Sequence, residues 1–177
     1  MKHTIYLLAC LILSSVVVSC ASDDDMDYKS DFETSKTAWN DFKATSNNSY
    51  IYVTYGGSVF TSYGWETTIT VSDGIIIQRD FKFTAGAEEH IPVADLEWTE
   101  HENEINSPEH DYTSATVART LDEVYNISEH DWLLKRTDAT SYFEAKNQGL
   151  ISTSGYVKKT CQDDCFVGIT IKSIEAL

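Results

Sequence analysis

Hydrophobic and polar positions change period several times along the chain, and each change marks an element. From Asp31 to Thr45 the apolar residues Phe32, Trp39 and Phe42 recur at helical spacing, with Ser35 and Ala38 on the same side. This predicts an amphipathic helix that stops at Asn47-Asn48. Ser49–Tyr55 is rich in Tyr, Ile and Val and reads as a strand. Alternation places Tyr50, Tyr52 and Thr54 on one face and Ile51, Val53 and Tyr55 on the other, and the second face is the expected core. Gly56-Gly57-Ser58 turns the chain. Trp65–Val71 and Ile75–Phe83 then read as a hairpin about Ser72-Asp73-Gly74, because Asp-Gly accepts the positive φ of a tight turn.

The second half repeats this grammar after an irregular stretch. Residues 84–113 lack a clear period apart from a short strand at Leu96–Thr99, and the polar run from Asn103 to Asp111 holds Pro108, which predicts a loop. A second helix starts at Thr120, where Thr120 and Glu123 have capping-box spacing and Leu121, Val124 and Tyr125 give an apolar face. Glu129–Leu134 adds a further turn or two. Thr140–Ala145 and Leu150–Val157 are strands about Asn147-Gln148-Gly149, and Phe166–Ile174 is the last. The sum is an α+β domain, an antiparallel sheet with two helices packed on one face. Each half runs helix, then strands about a turn, a weak internal α-β-β echo that points to duplication.

The first thirty residues follow a different logic. Lys2 precedes an apolar run from Ile5 to Val18. At 14 residues, that run has the length of a signal-peptide core, whereas a membrane span needs about 20. It ends in Val17-Val18-Ser19-Cys20, which resembles the bacterial lipobox. Ala21-Ser22-Asp23-Asp24-Asp25-Met26-Asp27 follows, and its acidic residues resemble the surface-export signal of Bacteroidota lipoproteins. Trp39 and Phe42 before a Tyr-rich strand, the Val71-Ser72-Asp73-Gly74 turn, Gly149-Leu150 and Cys161-Gln162-Asp163-Asp164-Cys165 extend the likeness to a group of small Bacteroidota surface lipoproteins. The resemblance implies cleavage before Cys20, lipid on the Cys20 thiol, and display from the outer membrane. It implies no activity. The expected plan is a leader over residues 1–19, an acidic lipidated tether over 20–30, and one globular domain over 31–177.

Charge and cysteines narrow the field. Loss of the leader removes one of 13 basic side chains, leaving 12 against 28 acidic ones and a formal charge of −16. Such a surface repels phosphate backbones, so nucleic acid is not an expected partner. Basic proteins, cations and neutral glycans of the envelope are compatible with it. Cys10 leaves with the leader and Cys20 takes lipid, so Cys161 and Cys165 remain in an oxidising compartment. They read as a disulfide stapling a hairpin connection. The alternative is a redox pair, although such pairs usually have two intervening residues rather than three.

Two constellations are candidates for function. Tyr50, Tyr52, Tyr63 and Trp65 crowd the first hairpin, and rings exposed there would form a contact surface for glycan or protein. That makes a non-enzymatic binding module the first expectation. The alternative is a divalent-metal protein. His90, His101, His110 and His130 each follow a glutamate, and imidazole with carboxylate is a ligand set zinc accepts. The histidine spacings match no zinc motif, and His101-Glu102 fails as H-E-x-x-H because position 105 is Ile. No G-x-S-x-G and no phosphate-cradling glycine loop occurs, so no catalytic residues and no cofactor are expected.

Overall fold

The computed structural model describes residues 25–110, 114–163 and 165–177. The expected leader and Cys20 lie outside the described residues. The chain joins the fold earlier than residue 31. Met26 bridges to Leu134, and helix α1 already begins at Lys29, running Lys29–Thr45. Helix α2 spans Leu121–Ile127 and continues into a π-helical turn, Ser128–Trp132. The strands are β1 Tyr50–Gly57, β2 Gly64–Ser72, β3 Ile75–Phe83, β4 Glu97–His101, β5 Ala139–Glu144, β6 Thr153–Lys158 and β7 Phe166–Ala176.

All seven strands form one antiparallel sheet in the order β4-β3-β2-β1-β7-β6-β5. Both helices cover the same face. Phe32 and Trp39 of α1, with Leu121, Val124 and Tyr125 of α2, pack into a single core with Tyr50, Tyr52, Ile69, Val71, Ile169 and Ile171 of the sheet. Burial of this apolar area is the main stabilising term. Two buried hydroxyl pairs lie inside it. The Ser35 Oγ lies 2.8 Å from the Tyr125 hydroxyl, and the Ser154 Oγ lies 2.8 Å from that of Ser128.

Local chemistry explains the element ends. At the start of α2 the Thr120 Oγ1 accepts from the Glu123 N–H (3.2 Å), while the Glu123 carboxylate accepts from the Thr120 N–H (2.7 Å). This reciprocal pair satisfies two donors that the first turn leaves open. The β2–β3 turn has positive φ at both Asp73 and Gly74, the conformation that makes a two-residue hairpin follow the sheet twist. Gln148 and Gly149 repeat the device, closing Asn147 onto Leu150. Cys161 and Cys165 are disulfide-bonded and staple the connection between β6 and β7.

One feature of the sheet positions the site. β1 pairs with β7 only as far as Thr54 opposite Ile171, just past a register shift at Val53/Thr54. Beyond that point Tyr55, Gly56 and Gly57 pair with β2 alone, while β7 continues beside β6. The sheet therefore parts between its two halves.

Candidate functional site

The expected tyrosine surface is reversed. Tyr50 and Tyr52 are fully buried, and Tyr55 is 54% exposed. The reason is reach. The segment leading into α2 runs over this part of the sheet, and a phenol is long enough to fill the gap and bond to it. The Tyr50 hydroxyl accepts from the Leu121 N–H (2.8 Å), and the Tyr52 hydroxyl donates to the Arg119 carbonyl (2.6 Å). Burial pushes both phenols well above their ordinary pKa, against the opposing effect of these backbone bonds. Ile51 and Val53 lie on the other face, half-buried. Tyr63 is half-buried between Phe83 (5.8 Å, edge-on) and His90 (5.8 Å, stacked).

The four histidines do not converge. His90 rests on Tyr63, and His101 is exposed at the end of β4, opposite Gln78. The His130 Nδ1 lies 2.9 Å from the carbonyl of Asn126, on the helical side of the fold. Only His110 meets one of the glutamates, and the partner is Glu100 rather than its chain neighbour (2.8 Å). Among the described residues no group of three or more His, Cys, Asp or Glu is placed to hold a metal ion. Pleating is part of the cause. Glu100 points into the fold and its neighbour His101 points out, as adjacent strand residues must. Glu100 is also already occupied. Its carboxylate accepts from Arg79 (3.1 Å), from the N–H groups of Asn106 (2.7 Å) and Ser107 (3.1 Å), and faces His110. Burial alone would raise its pKa, but the bonds from His110, Arg79 and Asn106 outweigh it and hold the carboxyl below its ordinary value.

A candidate site lies where β1 parts from β7. A cleft of about 640 Å³ opens there, walled on one side by Tyr55, Gly56 and Trp65 and on the other by Glu144, Lys146 and Asn147. A second cavity of about 470 Å³ adjoins it and shares Tyr55, Glu144 and Thr153. This one is lined by the rings of Tyr28, Tyr142 and Phe166. The two cavities meet at the shared residues and together form a groove, with Trp65 in the first and Tyr142 and Phe166 in the second.

The groove walls are held from within. The indole of Trp65 lies across Gly56, its cross-strand partner, where any Cβ would run into the ring. The cross-strand pair Gly155 and Gly168 leaves no room for a Cβ on either residue, which would meet the carbonyls of Val167 and Ser154 as well as the Phe166 ring. The Asn147 amide donates to the carbonyls of Ile151 (3.0 Å) and Ile171 (3.2 Å), tying the β5–β6 connection to β7. Glu66 is mostly buried between Lys172 and Lys82. The hydrogen bond from Lys172 lowers its pKa; burial opposes this and Lys82 reinforces it, leaving the carboxylate ionised. Lys146 pairs with Glu144 at the opposite wall (2.7 Å). The lining thus combines aromatic rings with charged and amide groups.

Of the aromatic residues expected at a contact surface, Trp65 lines this groove, whereas Tyr50 and Tyr52 are core and Tyr63 is packed beside His90. Tyr142, Phe166, Lys146 and Lys172 were not foreseen. Their contribution depends on β5, β6 and β7 lying beside the end of β1, which no local pattern encodes.

In comparison with known proteins, the chain matches no family model, no curated protein and no solved structure. The groove therefore has to be interpreted from its own chemistry.

Proposed function

We propose that the chain is a lipid-anchored protein of the outer membrane and acts as a non-enzymatic binding module whose groove takes an elongated envelope glycan. The carrying observation is the run of rings, Trp65, Tyr55, Tyr142 and Phe166, along two adjoining cavities bordered by Glu144, Lys146, Asn147 and Lys172. A sugar ring offers an apolar C–H face and a rim of hydroxyls. Flat rings match the first, and carboxylate, ammonium and amide groups match the second. The groove's open, polar-rimmed shape supports a chain-like ligand rather than an enclosed small molecule.

The anchor is supported by the lipobox resemblance at Cys20. We also read the α-β-β echo as a relic of duplication. The strand order supports it, since β1-β2-β3 and β5-β6-β7 are each antiparallel triplets following a helix.

The test is a binding screen of the mature protein against a panel of linear oligosaccharides, repeated with Trp65→Ala and Tyr142→Ala. The reading expects a hit whose affinity falls about tenfold or more in each variant, the loss expected when roughly 1.4 kcal/mol of contact is removed. Absence of any hit, or hits indifferent to both substitutions, contradicts it.

A further inference from the structure

The sheet has two ends, and the chain enters at only one of them. The carbonyl of Asp25 accepts from the N–H of Lys135 (2.9 Å), and the Asp27 N–H donates to Leu133. Four residues after Lys135 the chain starts β5 at Ala139, and the Lys159 N–H fastens this connection to the end of β6 through Asp138 (2.8 Å). From there α1 carries the chain to the opposite end, where the Gly74 N–H meets the Asn48 carbonyl. Its 17 residues are a strut about 25 Å long.

The entry end also carries exposed apolar side chains from separate elements. The β1–β2 tip, beyond Gly57 and Gly64, holds Val59 and Phe60, each 78% exposed. The connection from Phe83 to Leu96 leaves the sheet at the same end and holds Val93, 81% exposed. Its stacked pair Tyr63 and His90 braces the two loops against each other. Antiparallel pairing sets the start of β7 and the end of β6 at this level as well, with Val167 at 40% exposure. Exposed apolar residues on adjoining loops at one pole call for a partner.

The partner is fixed by the tether. Four residues lie between Cys20 and Asp25, and even fully extended these five steps span at most about 17 Å. A lipid on Cys20 therefore holds the bilayer within that distance of Asp25, beside the start of edge strand β5 at the entry end. The opposite end also shows apolar residues, Ile75 and Leu177, but it lies a further strut length away.

We propose that the entry end docks on the lipid surface, with Val59, Phe60 and Val93 seated among the headgroups as a second, weak membrane contact beside the Cys20 lipid. The proposal rests on the Cys20 anchor. It gives the domain a fixed orientation on the membrane, because one lipid attachment and one apolar pole suffice to stop free tumbling.

The test uses the full chain, processed in a bacterial host and reconstituted in phosphatidylcholine vesicles. Phe60→Cys, Val93→Cys and Ile75→Cys variants each receive an environment-sensitive fluorophore, and melting temperatures check that each is folded. The proposal expects blue-shifted emission, quenched by doxyl-labelled lipid, at positions 60 and 93, and aqueous emission at 75. Flotation with the vesicles but aqueous emission at both 60 and 93 overturns the docking and leaves the anchor standing. Equal burial at 75 also overturns it. Failure of the wild-type chain to float overturns the anchor and the docking together.

Discussion

The indole of Trp65 lies flat across Gly56, its hydrogen-bonded neighbour on β1, and together they form one wall of the groove. Glycine is required there for space. Gly56→Ala should push the ring out of the wall and cost about 1–3 kcal/mol, the range for overpacking a fitted contact. A lowered melting temperature with altered tryptophan near-ultraviolet circular dichroism is the expected result. An unchanged spectrum would show that the ring does not depend on that gap.

Tyr50 and Tyr55 should respond in opposite ways. Tyr50→Phe keeps the ring but leaves the Leu121 N–H without its acceptor, a loss of about 1–3 kcal/mol for a buried group. Tyr55→Ala should alter stability by no more than about 0.5 kcal/mol, since the side chain is solvent-facing. Urea denaturation of the two variants checks the orientation of β1 directly. A larger cost at Tyr55 would mean that the strand is flipped.

The pattern of the sequence predicted most elements to within a few residues, yet it placed β1 the wrong way round. Alternation shows that Tyr50 and Tyr52 share a face, but not which face is covered. Ile and Val are the more apolar residues, and a rule based on polarity alone favours them. What decides the matter is the hydroxyl: the covering chain presents the Leu121 N–H and the Arg119 carbonyl at the depth a phenol reaches. The capping box at Thr120 and the Asp73-Gly74 turn were legible because each is complete within four residues. The groove was not, because it joins Trp65 to Tyr142 and Lys172 through a register shift at Val53/Thr54 that no local signal marks. The Glu-His pairs misled for a related reason. Glu100 and His101 are separated by the pleat of β4, and Glu100 instead found His110 ten positions away, while the other three pairs lie in separate turns.

Glu100 should contribute to stability against acid. Its folded-state pKa is depressed, so its contribution is fully present above the unfolded value of about 4.3 and is lost as pH falls through the lower folded value. Glu100→Gln removes the charge opposite Arg79 in a buried site and should cost about 3–5 kcal/mol near neutral pH. Its stability should also fall less steeply between neutral pH and strong acid than that of the wild type. Denaturant midpoints measured across that range test both the size and the sign.

Reduction of Cys161–Cys165 should be mild in effect. The bond closes a loop of five residues, which corresponds to about 2 kcal/mol in the chain-entropy treatment. The domain should stay folded with a lowered melting temperature, because the core lies on the helical face of the sheet, away from this connection. Global unfolding on mild reduction would contradict that division of stability.

The most direct measurement is backbone and side-chain NMR of the isotopically labelled mature protein, titrated with linear oligosaccharides of the envelope. A groove that binds such a chain predicts saturable shifts concentrated at the Trp65 indole N–H, Tyr55, Tyr142 and Lys146, with Tyr50 and Tyr52 undisturbed. Saturable shifts centred elsewhere, or a spectrum that stays still at every concentration, would contradict it.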